Sequence, residues 1–204
     1  MLEARGISQS FGGRTVLDDV SLTVAPSERV QLAAPSGAGK TTLCRILAGY
    51  ARPQAGEVLV DGAPLPKRGP CPVQLIGQHP ERAVDPRLRM ERTLREAGWT
   101  PEDEGLLRQT GIRSEWLRRF PHELSGGELQ RFCIARALVA NPRYLIADEI
   151  STMLDAVTQA RIWDMLLAEA EARNLGLLFV SHSSALAARL ATRVVELPPT
   201  AVRG

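Results

Sequence analysis

The segment "RVQLAAPSGAGKTTLCRILAGY" (29–50) joins an apolar run, a glycine-rich turn and a helical pattern in direct succession. A strand that enters a helix through such a turn is the setting of the phosphate-binding loop, G-x-x-x-x-G-K-[ST], in which backbone N–H groups at a helix N-terminus cradle phosphate. Here Ala34 stands at the first glycine position, while Gly37, Gly39, Lys40 and Thr41 hold the others. An alanine held at positive φ would cost about 1–2 kcal/mol; at negative φ it costs almost nothing and stiffens the loop. The expectation is negative φ. Taken alone, the stretch also admits a plain glycine-rich strand-to-helix turn.

The loop predicts a division of labour. Backbone N–H groups of Gly37, Ala38, Gly39 and Lys40 would hold a β-phosphate, flanked by Ser36 and Thr42. The Lys40 ammonium would neutralise β- and γ-oxygens, and the Thr41 hydroxyl would ligate Mg²⁺. Of the 25 basic residues only Lys40 and Lys67 are lysines. A lysine kept at position 40 of an arginine-biased chain suits a cradle that admits a compact ammonium but not a planar guanidinium.

Further apolar runs bounded by turn residues read as strands: "VSLTV" (20–24), "EVLVDG" (57–62), "VQLIGQ" (73–78), "RYLIADE" (143–149), "LGLLFVSH" (175–182) and "RVVEL" (193–197). Helical spacing appears at Leu43, Ile46, Leu47 and Tyr50, and again at Trp163, Leu166, Leu167 and Ala170. Strands alternating with helices indicate an α/β domain with a largely parallel sheet. From about 79 to 139 strand signals vanish, and "RMERTLREAG" and "EDEGLLRQTG" point to an inserted helical lobe. The tail "PPTAVRG" is expected to fray.

Composition excludes little but is useful. With 204 residues, 44% of them apolar, the chain can bury the core of one domain. A net charge of +2 is too mild to imply a nucleic-acid surface, and no nucleic-acid partner is expected. Cys44, Cys71 and Cys133 are widely spaced and lack C-x-x-C, so neither a disulfide framework nor a zinc site is suggested. The N-terminus has no apolar leader and no run approaches the ~18 apolar residues of a membrane span. A cytoplasmic protein is expected, reaching a membrane only through a partner.

Two more motifs carry chemistry. "RYLIADE" ends an apolar strand in two carboxylates, placing Asp148 near the metal and Glu149 one residue further, where it can orient and deprotonate an attacking water. A strand ending in solvated acids is the bland alternative. In "ELSGGELQRFCIARAL" (123–138), Ser125 and Glu128 form an S-x-x-E capping box, and Gly126 and Gly127 expose backbone at the same helix N-terminus, making a second anion site.

With this motif just ahead of the carboxylate strand, the chain resembles the ATPase subunits of ABC transporters from Glu3 to Pro198. The resemblance implies a P-loop NTPase core with a mainly parallel sheet, an N-terminal antiparallel β portion and an inserted helical subdomain. The core would span 1–78 and 140–204, and the helical part 79–139. It implies ATP and Mg²⁺ as ligands and gives roles to particular residues. Phe11 looks like the aromatic that stacks on adenine, with Val16 beside it. Gln78 looks like the glutamine linking Mg²⁺ and the attacking water to the helical lobe, so that Thr41, Gln78 and Asp148 surround the metal. Glu149 is the expected base, and His182 the histidine that contacts the γ-phosphate. In "STMLD" (151–155), Asp155 would cross to a partner subunit. Ser125, Gly126 and Gly127 would serve the ATP held by that partner, so two such subunits, identical or not, sandwich two nucleotides.

The chain departs from the family pattern at Ile150, where proline is usual, at Glu128 for glutamine, and at His79 for aspartate. None of these removes a group from the hydrolytic chemistry. "QLIGQHPERAVDPRLRM" and "ADEISTMLDAVTQARIWDMLL" resemble the dipeptide, oligopeptide and nickel importer branch. That resemblance implies separate membrane permease subunits, an extracytoplasmic solute-binding protein, and a place on the inner face of the cell membrane. Two rivals stay open: an ABC-type ATPase without a membrane partner, and a regulatory module that binds nucleotide without hydrolysing it.

Overall fold

A computed structural model describes residues 1–152 and 154–198; beyond Pro198 the tail expected to fray lies outside the described residues. The chain groups into two compact units. One comprises Met1–Leu75, Arg143–Asp148 and the chain from Asn174 onward, and the other Ile76–Pro142 and Glu149–Arg173.

The first unit holds two sheets. β1 (Leu2–Phe11) and β2 (Arg14–Val24) form an antiparallel hairpin, extended by β4 (Ala55–Val60) and β5 (Ala63–Pro64) in the order β2-β1-β4-β5. Its two-residue turn, Gly12–Gly13, has φ of 55° and 80°, the doubly positive pair whose twist matches that of the flanking strands. β1 is absent from the runs recognised in the sequence, because Glu3, Arg5 and Gly6 interrupt its apolar signal. Its buried positions are Leu2 and Ala4, then Ile7 and Gln9. A register shift between Ala4 and Ile7 moves the alternation by one residue, which hides the strand from a period-two reading.

The other sheet runs in the order β6-β7-β8-β3-β9, from β6 (Val73–Ile76), β7 (Tyr144–Asp148), β8 (Gly176–Val180), β3 (Arg29–Ala33) and β9 (Arg193–Glu196). β3 pairs in parallel with β8 and β9, and β7 pairs in parallel with β8. Every residue of β7 and β8 is buried, which explains their continuous apolar reading. Helix α1 (Lys40–Leu47) packs Leu43, Cys44, Ile46 and Leu47 into a core shared with Leu2 and Ile7 of β1, Val30 and Leu32 of β3, and Ile146 of β7.

The second unit is helical, with α2 (Met90–Glu96), α3 (Glu104–Gln109) and α4 (Gly126–Val139) joined by short 3-10 turns, and α5 (Ala156–Ala172) following β7 in the chain. In α5, of the spaced residues Trp163, Leu166, Leu167 and Ala170, all but Leu167 are buried, and Leu167 is half-buried. The last helix, α6 (Ser184–Leu190), returns to the first unit. Among the described residues no helix is long and apolar enough to cross a membrane.

One ion pair ties the edge of the parallel sheet to the turn after β2. Arg193 Nε donates to Glu28 Oε1 at 2.6 Å, its Nη2 donates to the Thr23 carbonyl at 2.6 Å, and the Ala25 amide donates to Glu28 Oε2 at 2.8 Å. The bond from Arg193 holds the Glu28 carboxyl below its ordinary value of 4.5. A carboxylate with a depressed folded pKa contributes stability that is complete above the unfolded value and is lost as pH falls through the folded one. Denaturant melts of wild type and Glu28→Gln should therefore differ above pH 4.5 and converge below it.

Candidate active site

Parallel registration aligns the functional ends of three strands. Asp148 pairs with Val180, and Gln31 with Phe179, so β7, β8 and β3 finish along one edge of the sheet. From that edge emerge the loop at 34–39, the Asp148 carboxylate and, two residues beyond β8, His182. Ligands of open α/β sheets bind at this carboxyl edge.

The loop has the backbone geometry of a concave nest. Gly37 has φ of 78° and Gly39 of 90°, while Ala38 between them keeps negative φ. Such alternation turns successive N–H groups to one side and forms a concave nest. The Ala38 amide donates to the Pro35 carbonyl at 3.2 Å, closing the turn. Helix α1 then starts with no side-chain cap and no acidic residue in its first turn, leaving its positive end open to phosphate. A Cβ on Gly37 would meet nothing within 4 Å, whereas one on Gly39 would lie 2.8 Å from the Val16 carbonyl oxygen and 2.9 Å from Val16 Cγ1. Val16 and Leu17 of β2 thus roof the loop at Gly39. The same hairpin carries Phe11 at the end of β1, 56% exposed.

Ala34 has the negative φ expected of it: among the described residues, non-glycine positive φ is confined to Asp19, Ser27, Asp61, Asn141, Glu149 and Asn174. Its methyl group packs against the hydrophobic core, which gives a side chain at this position a structural use.

Lys40 is only 8% exposed. Its Nζ donates to the carbonyls of Ala34 at 2.8 Å and Pro35 at 3.0 Å, so the ammonium is folded back across the loop. A buried cation whose bonds go to neutral carbonyls suits the approach of phosphate. Ser36 and Thr41 are exposed and Thr42 half-buried. One turn into α1, burial pushes the Cys44 thiol well above its ordinary range, the nearby Asp148 carboxylate adds to the rise, and Lys40 opposes it. Asp148, 4% exposed, ends β7, whose Ile146 packs in the same core as Leu43, Cys44 and Leu47 of the helix that carries Lys40 and Thr41.

In the second unit, Ser125 caps α4 as the sequence predicts. The Ser125 amide donates to Glu128 Oε2 at 2.8 Å and the Glu128 amide donates to Ser125 Oγ at 3.3 Å. Gly126 is exposed and a Cβ there would meet nothing within 4 Å, whereas one on Gly127 would lie 3.1 Å from Leu154 Cδ2. Gln78, half-buried, follows β6. Its neighbour Gly77 accepts a long 3.4 Å bond from Nε2 of Gln130, a residue of α4 that motif reading leaves without a role. Glu149 has φ of 52°, an uncommon left-handed setting for a glutamate. Ile150, at the usual proline position, is 3% exposed. Asp155 caps α5 by accepting from the amides of Val157 and Thr158 at 3.1 and 3.0 Å. Bonds from Thr158 lower its pKa most.

Residues 17–152 match the ABC transporter family profile. The chain belongs to the ABC transporter family. Among curated relatives, this ABC ATPase is 35% identical to a nickel import ATP-binding protein of Rhodospirillum rubrum, over 97% of this chain and 80% of that one. It is 39% identical to an aliphatic sulfonates import ATP-binding protein of Nocardia farcinica, over 94% of this chain and 76% of the relative. Among solved structures, a dimeric ATP-binding cassette in a post-hydrolysis state, bound to ADP and Pi, superposes with a TM-score of 0.83 at 23% identity, over 98% of this chain and 95% of that one, a likeness of fold. The chain is an ATP-binding, ATP-hydrolysing subunit of an ABC transporter.

Two substitutions separate the roles of the loop positions. Ala34→Gly should retain MgATP affinity and lower stability by about 0.4–1 kcal/mol, the entropy of a freer unfolded chain. Gly39→Ala should cost about 1–3 kcal/mol from its strained φ alone, and should weaken MgATP binding as Val16 is displaced; calorimetric titration and denaturant midpoints measure both.

Proposed function

We propose that two of these subunits, identical or not, close around two ATP molecules, and that the closure drives import through a separate membrane permease. The observation that carries this reading is the uncapped start of α1, with Lys40 folded across its loop and the buried Asp148 ending the strand that packs in the same core as α1. The N–H groups of Gly37 to Lys40, flanked by Ser36 and Thr42, bind the phosphates. Phe11 stacks on adenine beside Val16. Glu149 orients and deprotonates the attacking water, His182 contacts the γ-phosphate, and Gln78 links the site to the helical part of the chain. Ser125, Gly126 and Gly127 grip the nucleotide of the opposite subunit, toward which Asp155 reaches.

Mg²⁺ fits the donors present. The Thr41 hydroxyl, the Asp148 carboxylate and the Gln78 amide are hard oxygen donors. Among the described residues there is no group of three or more His, Cys, Asp or Glu that could cage a metal. Mg²⁺ keeps several waters and is commonly held by one or two carboxylates together with the phosphates of its nucleotide. When bound, it neutralises developing charge on the β- and γ-oxygens.

The names of the relatives support import as the direction, and the segments at 73–90 and 147–167 support the dipeptide, oligopeptide and nickel branch. We place the subunit on the inner membrane face, with a solute-binding protein in the same system and cargo choice in the permease and binding protein. We also retain the division of the chain into a core (1–78 and 140–204) and a helical part (79–139). The family match disfavours a module that only binds nucleotide.

Glu149→Gln should bind MgATP with near wild-type affinity, lower the rate of phosphate release by about 10²–10⁴-fold, the range expected on losing a general base, and accumulate as an ATP-bound dimer in sedimentation. Wild-type turnover by this variant would remove Glu149 from the role of base.

A further inference from the structure

The left-handed backbone at Glu149 needs something to hold it, because an L-residue does not settle there unaided. Two sets of bonds surround it. The Glu149 carbonyl accepts from the Thr152 hydroxyl at 3.1 Å and, more weakly, from the Thr152 amide at 3.4 Å, closing a turn over Ile150 and Ser151. Ser151, 7% exposed, is then fixed from α5: its Oγ accepts from Gln159 Nε2 at 2.8 Å and from Trp163 Nε1 at 3.2 Å. These two donors lie one turn apart on the same face of α5, and Trp163 is 1% exposed. A single hydroxyl oxygen thereby ties the backbone two residues past the base to the middle of a packed 17-residue helix.

We propose that Ser151, Gln159 and Trp163 form a latch that positions Glu149 for water activation, with Gln159 and Trp163 acting on the base only through Ser151. The inference rests on the reading of Glu149 as the base. The expectation for nucleotide binding is that it is kept, since the latch members are residues of α5 and of the turn that follows Glu149 and none belongs to the loop at 34–42. Loss of the latch releases the turn, and the carboxylate leaves its productive geometry. A displacement of about 1 Å at a reacting group is worth on the order of 10²-fold in rate. Removing the Ser151 oxygen takes away the acceptor of the Trp163 N–H, whereas threonine keeps an oxygen in the same place.

The test compares full-length wild type, Ser151→Ala, Ser151→Thr, Gln159→Met and Glu149→Gln by phosphate release across MgATP concentration, with binding of a fluorescent ATP analogue measured in parallel. Ser151→Ala and Gln159→Met should lose about 10–10²-fold in kcat, keep KM and analogue affinity within about twofold, and Ser151→Thr should recover most of the rate. If Ser151→Ala fails to fold, Gln159→Met and Ser151→Thr carry the comparison. Wild-type kcat in both latch variants with an inactive Glu149→Gln would overturn the latch and leave the base in place. A loss expressed in KM and analogue binding, or no recovery with threonine, would overturn it equally. Full turnover by Glu149→Gln would instead remove the reading on which the latch rests.

Discussion

The Lys40 ammonium is the constraint around which the first unit is arranged. Burying a cation is costly unless its donors are satisfied, and here the carbonyls of Ala34 and Pro35 accept from it. Those carbonyls face the ammonium only because the loop doubles back through the left-handed Gly37 and Gly39. The loop in turn keeps that path because Val16 and Leu17 close over Gly39 and leave room for hydrogen alone. Thus the N-terminal hairpin, whose strands belong to the other sheet, shapes the glycine loop proposed to hold phosphate. The departure at Ala34 falls outside this chain of dependence. Its φ is ordinary and its side chain is part of the core.

A second dependence runs through the helical unit. The Ser125 cap fixes the start of α4, Gly127 admits Leu154 at close range, and Asp155 caps α5. Ser151 then joins the turn after Glu149 to the side of α5. The residues assigned to gripping a partner's nucleotide and the residue assigned to hydrolysis therefore share one packed body, in which a shift of Leu154 is felt at Gly127.

Local chemistry made much of this readable in the sequence. The phosphate loop announces itself because glycine, lysine and threonine are needed at fixed spacing. The capping box at Ser125 and Glu128 is a contact between residues three apart, and both of its arms are formed. β7 and β8 are legible because fully buried parallel strands leave continuous apolar runs, and β3 because Val30 and Leu32 alternate with half-buried neighbours. β1 is not, since the register shift near Gly6 breaks its alternation and its charged residues face outward. Nor is the Ser151 group, because its bonds span 8 and 12 residues and exist only once the turn after Glu149 has set the hydroxyl against α5. Gln130, whose bond to Gly77 reaches back 53 residues, is hidden for the same reason.

We propose that a compact ammonium at position 40, rather than positive charge as such, completes the phosphate site. Calorimetric titration of MgATP into wild type and Lys40→Arg tests this directly. A buried site that fits only an ammonium predicts a loss in affinity of at least about tenfold for the guanidinium, which cannot fold between the Ala34 and Pro35 carbonyls. Equal affinity in the two proteins would show that charge alone suffices and would contradict the assignment.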